Sequence, residues 1–587
     1  MRHCLSTFMN CKDEDKLNQL SATAICGNDI LSSVLYVSGI ATMFSGIFAP
    51  LVLLVIGIVL FFYKSVYIEI VEALPINGGA YNCLLNGASK SVAAVAGAMT
   101  ILSYIATAVI SAKVGVEYLH SMVTIPIIPA TVLLLGLFAA LVISGIKDSA
   151  KVALVIFITH IVVLTSLSLS GIFYMLTHDT QLNYNIFQTT QLIAQKGSIL
   201  PLLFLAFSAS LLGISGFESS ANFVEEQKRG VFRKTLRNML LGVAIFNPLM
   251  AFVVIQAMPY EAIVSAKDFL LSDLALITGG RLLQAAVVID AFLVLSGAVL
   301  TSFVGVSGLV YRMASDSCLP NFLTKRNAKG TYYRIIIAFF LLCSSILVLT
   351  GGDLLSLAGV YTISFLGVMS LFAFGNLILR QTRTDLKRTY SAPLPFVLLA
   401  FLFTAVGMAG NILIDAKNFQ FFEYYFLPTL VIILIVIYQD YLFRALLHLT
   451  SGVPMINNYL NKKFSDMVAG KFVVFIKHST QIHSVLTYIN KNETGREIYI
   501  AHCYQKDDPA SVADLEEIRA TIPYLQKAGV YSHLNITLYP VNMRFGPKAI
   551  QRVSKELSIR ENRIMVGSIH DCHPFDYDDM GGVRIIF

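Results

Sequence analysis

Two apolar stretches of the chain are each interrupted by glycines and polar residues. The first contains AICGNDILSSVLY, with Gly27, Asn28, Asp29, Ser32 and Ser33. The second contains LLGISGFESSANFVEE, with Gly213, Ser215, Gly216 and Glu218. Both stretches are apolar enough to cross a membrane, where polar and ionisable groups are costly and usually face a cavity. The two interruptions are therefore the first candidates for a binding site.

A helix that is interrupted inside a membrane exposes groups that bind ions. Its freed carbonyls can bind a cation, and the N-terminus of a half-helix attracts an anion. A fixed carboxylate such as that of Asp29 attracts a cation and repels a substrate carboxylate. The interruptions lie in segments that are five apart, as in two inverted five-helix repeats that each contribute one unwound helix. This pattern is typical of a transporter rather than of an enzyme.

The composition places most of the surface against lipid. Of the 587 residues, 56% are hydrophobic and 13% are charged, with a mean hydropathy of +0.70, whereas a soluble chain carries roughly 25% charged residues. This excludes a soluble enzyme, a disordered chain or a nucleic-acid binder for the whole chain. The eight cysteines form no CxxC pair, so neither a disulfide framework nor a zinc site is expected. We expect no cofactor, and no metal beyond a transported monovalent cation.

Twelve segments have about the length that a spanning helix needs. They cover residues 20–42, 48–73, 91–118, 126–146, 151–176, 199–224, 238–258, 281–311, 335–350, 354–379, 392–414 and 425–447. The connections after even-numbered segments carry most of the loop lysines and arginines. Those after odd-numbered segments hold only Lys196, Lys267, Arg281 and Lys417. This asymmetry predicts a multi-pass protein of the cell (plasma or inner) membrane with both termini in the cytoplasm.

The chain divides into four parts. Residues 1–19 are polar and lack the pattern of a signal peptide, so they are read as a cytoplasmic N-terminus. The all-α membrane part covers 20–447, and a linker covers 448–470. From 471 to 587, β-rich runs at 471–478, 496–503, 533–540 and 562–569 alternate with segments of helical periodicity. This alternation predicts a small cytoplasmic α/β domain with a mostly parallel sheet. Gly581-Gly582 is a weak signal for a nucleotide site there.

Three motifs resemble the amino acid–polyamine–organocation (APC) superfamily of secondary transporters. They are EALPINGGAYN (72–82), GFESSANFVEEQKRGVFRKTLRN (216–238) and YRMASDSCLP (311–320). The resemblance covers about 430 residues and implies the LeuT-like fold of 5+5 inverted repeats with twelve transmembrane helices. It is specific for the superfamily and not for its substrate.

The cavity pattern is most similar to the KimA-type and KUP potassium importers. Those importers carry an Asp followed seven residues later by a Tyr in helix one, and Tyr-x-x-Thr in helix three. They also carry a hydroxyl residue directly before Gly-x-Glu in helix six and a Tyr in helix ten. The matching residues here are Asp29, Tyr36, Tyr104, Thr107, Ser215 and Tyr361. The resemblance implies that they bind the ion, although the importers tend to have Thr at the position of Ser215. The amino-acid branches usually have a glycine-rich first break, from which CGNDILS departs.

Several further residues are candidates for unwinding or for proton coupling. Gly27, Asn28, Ser32, Gly213 and Gly216 lie in the two interruptions. The coupling candidates are Glu218, Asp290 and His160. Ordinary helix packing is the alternative for the hydroxyls and for a lone histidine. An i,i+4 ion pair is the simplest explanation for Lys113 and Glu117.

Three functions fit the sequence. The first is proton-coupled symport that imports potassium by alternating access, with the α/β domain as a gate. The second is a proton-coupled amino acid permease, and the third is a non-transporting nutrient sensor. The expected partners are the lipid bilayer, protons and potassium or an amino acid, and no nucleic acid. The resemblance also implies a nucleotide ligand on the α/β domain and a homodimer.

Overall fold

The computed structural model describes residues 16–587 apart from several gaps. The gaps are residues 146–149, 223, 385, 387, 451, 453–454, 456, 462–469, 494–496, 528–530, 532–533, 568–579, 581–582 and 586–587. Most of the predicted N-terminal part, much of the predicted linker and Gly581-Gly582 lie outside the described residues.

The membrane part is helical throughout. Its helices are α1 Gln19–Ser32, α2 Val34–Ser45, α3 Ala49–Ala73, α4 Gly79–Gly87, α5 Lys90–His120, α6 Ile127–Ile143, α7 Ala150–Thr177, α8 Leu182–Lys196, α9 Ile199–Ser210, α10 Val231–Ala257, α11 Tyr260–Ser265, α12 Leu270–Ser315, α13 Tyr333–Leu349, α14 Leu354–Thr382, α15 Leu394–Ile414, α16 Ala416–Ile437 and α17 Gln439–Leu449. Among the described residues, nine stretches are long and apolar enough to cross a membrane, and α6 and α13 are shorter apolar helices. The chain is therefore a multi-pass membrane protein.

Each predicted segment contains a helix, but the predicted limits of the last segment are wrong. The segment predicted at 425–447 is divided between α16 and α17, which separate at Tyr438. The sequence QDYLFRALLHL of α17 is apolar on one face only. A one-sided apolar pattern suits a surface helix rather than a spanning one, so the last long helix runs over Ala416–Ile437 instead.

Helix α5 lies at the centre of the bundle. It packs along α12 and α14, and most of its residues from Ala93 to Tyr118 are buried. Its sequence is rich in Ala, Gly and Ser, which let neighbouring helix backbones approach closely. At Gly97, for example, an added Cβ would lie 2.6 Å from the Met313 side chain of α12. The small residues thus hold α5 and α12 in fixed contact.

The C-terminal residues form a five-stranded parallel sheet. Its strands are β1 Lys471–Phe475, β2 Glu497–Tyr504, β3 Asn535–Asn542, β4 Ile564–Val566 and β5 Arg584–Ile585, in the order β3-β2-β1-β4-β5. The helices α18 Gln481–Asn492, α19 Pro509–Lys527 and α20 Pro547–Glu556 connect them. Every paired strand is parallel, as the alternating pattern predicts.

The sheet has an apolar layer on each face. One layer includes Ile482 and Ile518, and the other includes Ile550 and Val553. Ile76, which follows helix α3 of the membrane part, is buried in the second layer. The loop after α3 is therefore part of the core of the C-terminal unit, and the two parts of the chain are packed together.

Candidate functional site

The second interruption is a true break in a helix. Helix α9 ends at Ser210, and the chain continues as two 3₁₀ turns, Leu211–Ile214 and Glu218–Asn222. Between them Gly216 has φ +88°, a left-handed conformation that favours glycine. The break therefore lies where Gly213 and Gly216 predict it.

The first interruption is shorter than the sequence suggests. Gly27, Asn28 and Ser32 lie inside helix α1, and the interruption is limited to Ser33. The hydroxyls of Ser32 and Ser33 donate to the carbonyls of Asp29 and Ile30 at 2.6 and 2.7 Å. These hydrogen bonds give both carbonyls a partner within the helix. Serine hydroxyls in helices commonly donate to a preceding carbonyl in this way. The prediction of an unwound Gly27, Asn28 and Ser32 is thus wrong.

The second interruption contacts helix α1 at Asp29 and the first interruption at Ser33. A Cβ on Gly216 would lie 2.8 Å from Asp29 Cγ and 3.0 Å from its Oδ2. The Gly213 carbonyl accepts hydrogen bonds from Ser33 Oγ and Asn247 Nδ2, both at 3.0 Å. Glycine at 216 therefore permits the broken helix to approach the Asp29 carboxylate, and Ser33 joins the two breaks directly.

Hydroxyls and a second carboxylate surround this contact. Tyr36 Oη lies 3.5 Å from Ser215 Oγ. Glu218 accepts from the Gly216 amide at 3.0 Å and from Ser103 Oγ at 3.3 Å. The Asp29 and Glu218 charges both act on the hydroxyls of Tyr36, Tyr104 and Tyr361. The predicted ion ligands thus converge on one region, which we call the Asp29 cluster.

The Asp29 cluster is closed to solvent. Its six predicted ligands, Asp29, Tyr36, Tyr104, Thr107, Ser215 and Tyr361, are each at most 8% exposed. Thr107 donates its hydroxyl hydrogen to the Ser103 carbonyl at 2.8 Å, which leaves its oxygen lone pairs as acceptors. An oxygen-rich, enclosed cluster with two carboxylates suits a dehydrated cation.

A second buried pair lies beside the cluster. His160 Nδ1 and Asp290 Oδ2 are 2.7 Å apart, and His160 Nε2 lies 3.4 Å from the Leu31 carbonyl of α1. The side chains of His160 and Asp290 are 0% and 2% exposed. Asp290 Oδ1 has no hydrogen-bond partner among the described residues. Two of the three coupling candidates, His160 and Asp290, are thus one unit that contacts the backbone near Asp29.

The sequence interpretation missed several polar partners. Asn222 donates to Tyr104 Oη at 2.5 Å, and Asn247 and Ser103 donate to the break and to Glu218. Asn222 lies within the motif GFESSANF, so its position was a usable signal. Nothing in one sequence indicates that Asn247 of α10 or Ser103 of α5 faces the same cluster.

A further ionic network joins the membrane part to the C-terminal sheet. Arg584 of β5 contacts Asp316, which follows α12, at 3.3 Å and Glu493 at 2.5 Å. Lys90 at the start of α5 lies 3.2 Å from the same Glu493 oxygen. Tyr81 donates to Asp316 at 2.9 Å. We call these five residues the sheet contact.

The charges of the sheet contact stabilise one another. Burial alone would raise the pKa of the Glu493 carboxyl, but Arg584 and Lys90 together hold that pKa below its ordinary value. The Arg584 guanidinium is disfavoured by burial, yet Glu493 and its other neighbours raise its pKa further. Both groups are therefore ionised at neutral pH. Loss of either partner would remove one of the opposite charges that compensate the other buried group, which is costly.

A family model and a relative found by sequence agree with the resemblance. The family model described as "Amino acid permease" matches residues 17–438. The potassium transporter KimA of Bacillus subtilis (strain 168) is 24% identical over 363 residues, which cover 60% of this chain and 59% of that protein. Structures of two mutants of the Eremococcus coleocola manganese transporter have TM-scores of 0.47 and 0.49, with 12% identity, and cover 76% of this chain and 95% of those chains.

The contact of Gly216 with Asp29 yields a stability prediction. We expect Gly216→Ala to destabilise the protein by about 2–3 kcal/mol, from left-handed backbone strain and from overlap with Asp29. Gly230→Ala is the matched control, because Gly230 has φ +71° and nothing within 4 Å of its Cβ position. It should cost about 1 kcal/mol. Equal losses in thermal unfolding of the purified variants would contradict the packing described.

Proposed function

This chain belongs to the amino acid permease family, and we propose that it is a secondary transporter that imports potassium together with protons. The Asp29 cluster carries this proposal. Two carboxylates lie at the same glycine: Gly216 packs against Asp29 and donates its amide hydrogen to Glu218 Oε2. Such a cluster attracts a cation and opposes a bound carboxylate.

One hydrogen bond favours a metal ion over an amino acid. A permease would use free amides at the broken helix to bind the carboxylate of its substrate. Here the Gly216 amide already donates to Glu218 Oε2 at 3.0 Å. The amino acid permease is the second candidate, since Asp29 could bind the amine of such a substrate. The non-transporting sensor is the least favoured function.

The proposed transport needs the finer architecture that the family implies. We propose twelve spanning helices in two inverted five-helix repeats plus two further helices, with both termini and the C-terminal sheet in the cytoplasm. The enclosed Asp29 cluster fits an occluded step of alternating access, in which one group of helices rocks against another around the site. The loop lysines and arginines support this orientation.

Asp29 provides the direct test of the proposed substrate. In a host that lacks potassium uptake, we expect uptake of rubidium, a potassium tracer, to fall at least tenfold in Asp29→Asn, because the fixed charge no longer binds the ion. Asp415→Asn is the control, since Asp415 is exposed and only caps α16. Wild-type protein at the cell surface without rubidium uptake would refute the potassium assignment. An amino-acid panel would then test the permease.

We assign proton coupling to the pair of His160 and Asp290. An imidazole can bind and release a proton at its ring nitrogens, and Asp290 Oδ1 can take part in proton exchange because it has no hydrogen-bond partner among the described residues. His160 Nε2 faces the Leu31 carbonyl, two residues from Asp29. A change of protonation at this pair can therefore act on helix α1 at the ion cluster.

Loss of this pair should separate ion binding from proton coupling. We expect His160→Gln and Asp290→Asn to abolish the stimulation of rubidium uptake by an inward pH gradient, while equilibrium rubidium binding changes less than about threefold, since neither residue is an ion ligand. His178→Gln is the control, because His178 directly follows the same helix and is exposed. Retained stimulation in both variants would assign coupling elsewhere, with Glu218 the next candidate.

We propose that the C-terminal sheet restrains the bundle. The sheet contact holds the ends of α5 and α12, and Ile76 anchors the loop after α3. A helix end that is bound to a separate unit cannot move without breaking buried ion pairs, which costs several kcal/mol. The nucleotide ligand and the homodimer that the resemblance implies stay predictions.

Arg584 tests this restraint. We expect Arg584→Gln to raise the rubidium uptake rate about twofold or more at equal surface amount, because breaking one side of a buried ion pair releases the helix ends. Arg519→Gln is the control, since Arg519 forms an exposed pair with Glu516 in the same C-terminal region. Unchanged or lower uptake in Arg584→Gln would show that the sheet does not restrain transport.

A further inference from the structure

A cavity lies at the opposite end of helix α5 from the sheet contact. It has a volume of about 460 Å³, and its charged lining residues are Lys113, Glu117, Asp268 and Asp353. Glu117 lies 10 positions after Thr107, the last residue of the Asp29 cluster on α5, which corresponds to about 15 Å along the helix. The cavity is therefore distinct from the Asp29 cluster.

Two carboxylates share one ammonium group in this cavity. Lys113 Nζ lies 2.6 Å from Glu117 Oε1 and 3.3 Å from Asp268 Oδ2. The side chains of Lys113 and Glu117 are only 3% and 7% exposed. Asp268 joins from the short connection between α11 and α12. The pair of Lys113 and Glu117 is thus part of a triad that sequence spacing does not reveal.

One oxygen of each carboxyl group in the triad faces away from the Lys113 ammonium. These oxygens, Glu117 Oε2 and Asp268 Oδ1, have no hydrogen-bond partner among the described residues. A buried carboxylate without full compensation is costly. The two oxygens without a partner belong to residues that line the cavity, where they can accept a second cation.

We propose that this cavity binds a monovalent metal cation through Glu117 and Asp268. Ca²⁺ takes about six to eight oxygen ligands, whereas the triad offers two carboxylates beside a lysine, so a weakly held monovalent ion suits it better than a divalent one. The identification of this ion as potassium rests on the proposed function. The Lys113 ammonium then competes with the bound ion, because it contacts one oxygen of each carboxylate.

Rubidium binding to purified full-length protein tests this site apart from transport. We expect two ions per wild-type chain and one ion in Asp29→Asn, which keeps the cavity. One ion is also expected in Glu117→Gln and in Asp268→Asn, which keep the Asp29 cluster, and none in the combination of Asp29→Asn with Glu117→Gln. In Glu117→Gln, Lys113 remains paired with Asp268, so the fold is preserved. Lys113→Met should tighten the cavity site about tenfold, because the competing charge is removed.

The outcomes separate this inference from the proposed function. Asp353→Asn is the matched control: it removes a charge from the same cavity, and Asn can still cap α14 as Asp353 does for Ser356. It should retain both ions. Unchanged stoichiometry in both Glu117→Gln and Asp268→Asn would overturn the inference and assign a proton to the triad. Unchanged stoichiometry in Asp29→Asn alone would instead refute the central ion site.

Discussion

The Asp29 carboxylate lies inside a bundle of apolar helices, where a charge without compensation is costly. Much of the surrounding structure follows from that cost. Helix α9 breaks so that backbone at Gly216 approaches the carboxylate. Ser33 Oγ then ties the first break to the second through the Gly213 carbonyl. Without glycine at position 216, a Cβ would occupy the space next to Asp29, and the broken helix could not approach that carboxylate.

The same physical rule governs the other buried charges of the described bundle. Several of these carboxylates pair with a base from another element, and those pairs connect elements that are distant in sequence. Glu69 of α3 binds Arg380 of α14 at 2.5 Å, and His160 of α7 binds Asp290 of α12. Charge pairing thus specifies which helices are neighbours, in addition to forming candidate sites.

Apolar length and strand-helix alternation predicted the helices of the membrane part and the parallel sheet, because both depend on local pattern. The break at Gly213 and Gly216 was predictable, since glycine has a local backbone preference. The extent of the first break was not, because serine hydroxyls can satisfy the carbonyls of a continuous helix. Contacts such as Arg584 with Asp316 or Lys113 with Asp268 depend on tertiary packing, which a single sequence does not encode by spacing.

Helix α5 carries Lys90 of the sheet contact, Tyr104 and Thr107 of the Asp29 cluster, and Lys113 and Glu117 of the far cavity. It is one uninterrupted helix of 31 residues, so an axial shift displaces all three groups by the same amount. Thermodynamic linkage then imposes a reciprocity. Suppose that an ion in the cavity of Lys113 and Glu117 changes the affinity of the bundle for the sheet by some factor. Release of the sheet must then change the affinity of that cavity for its ion by the same factor.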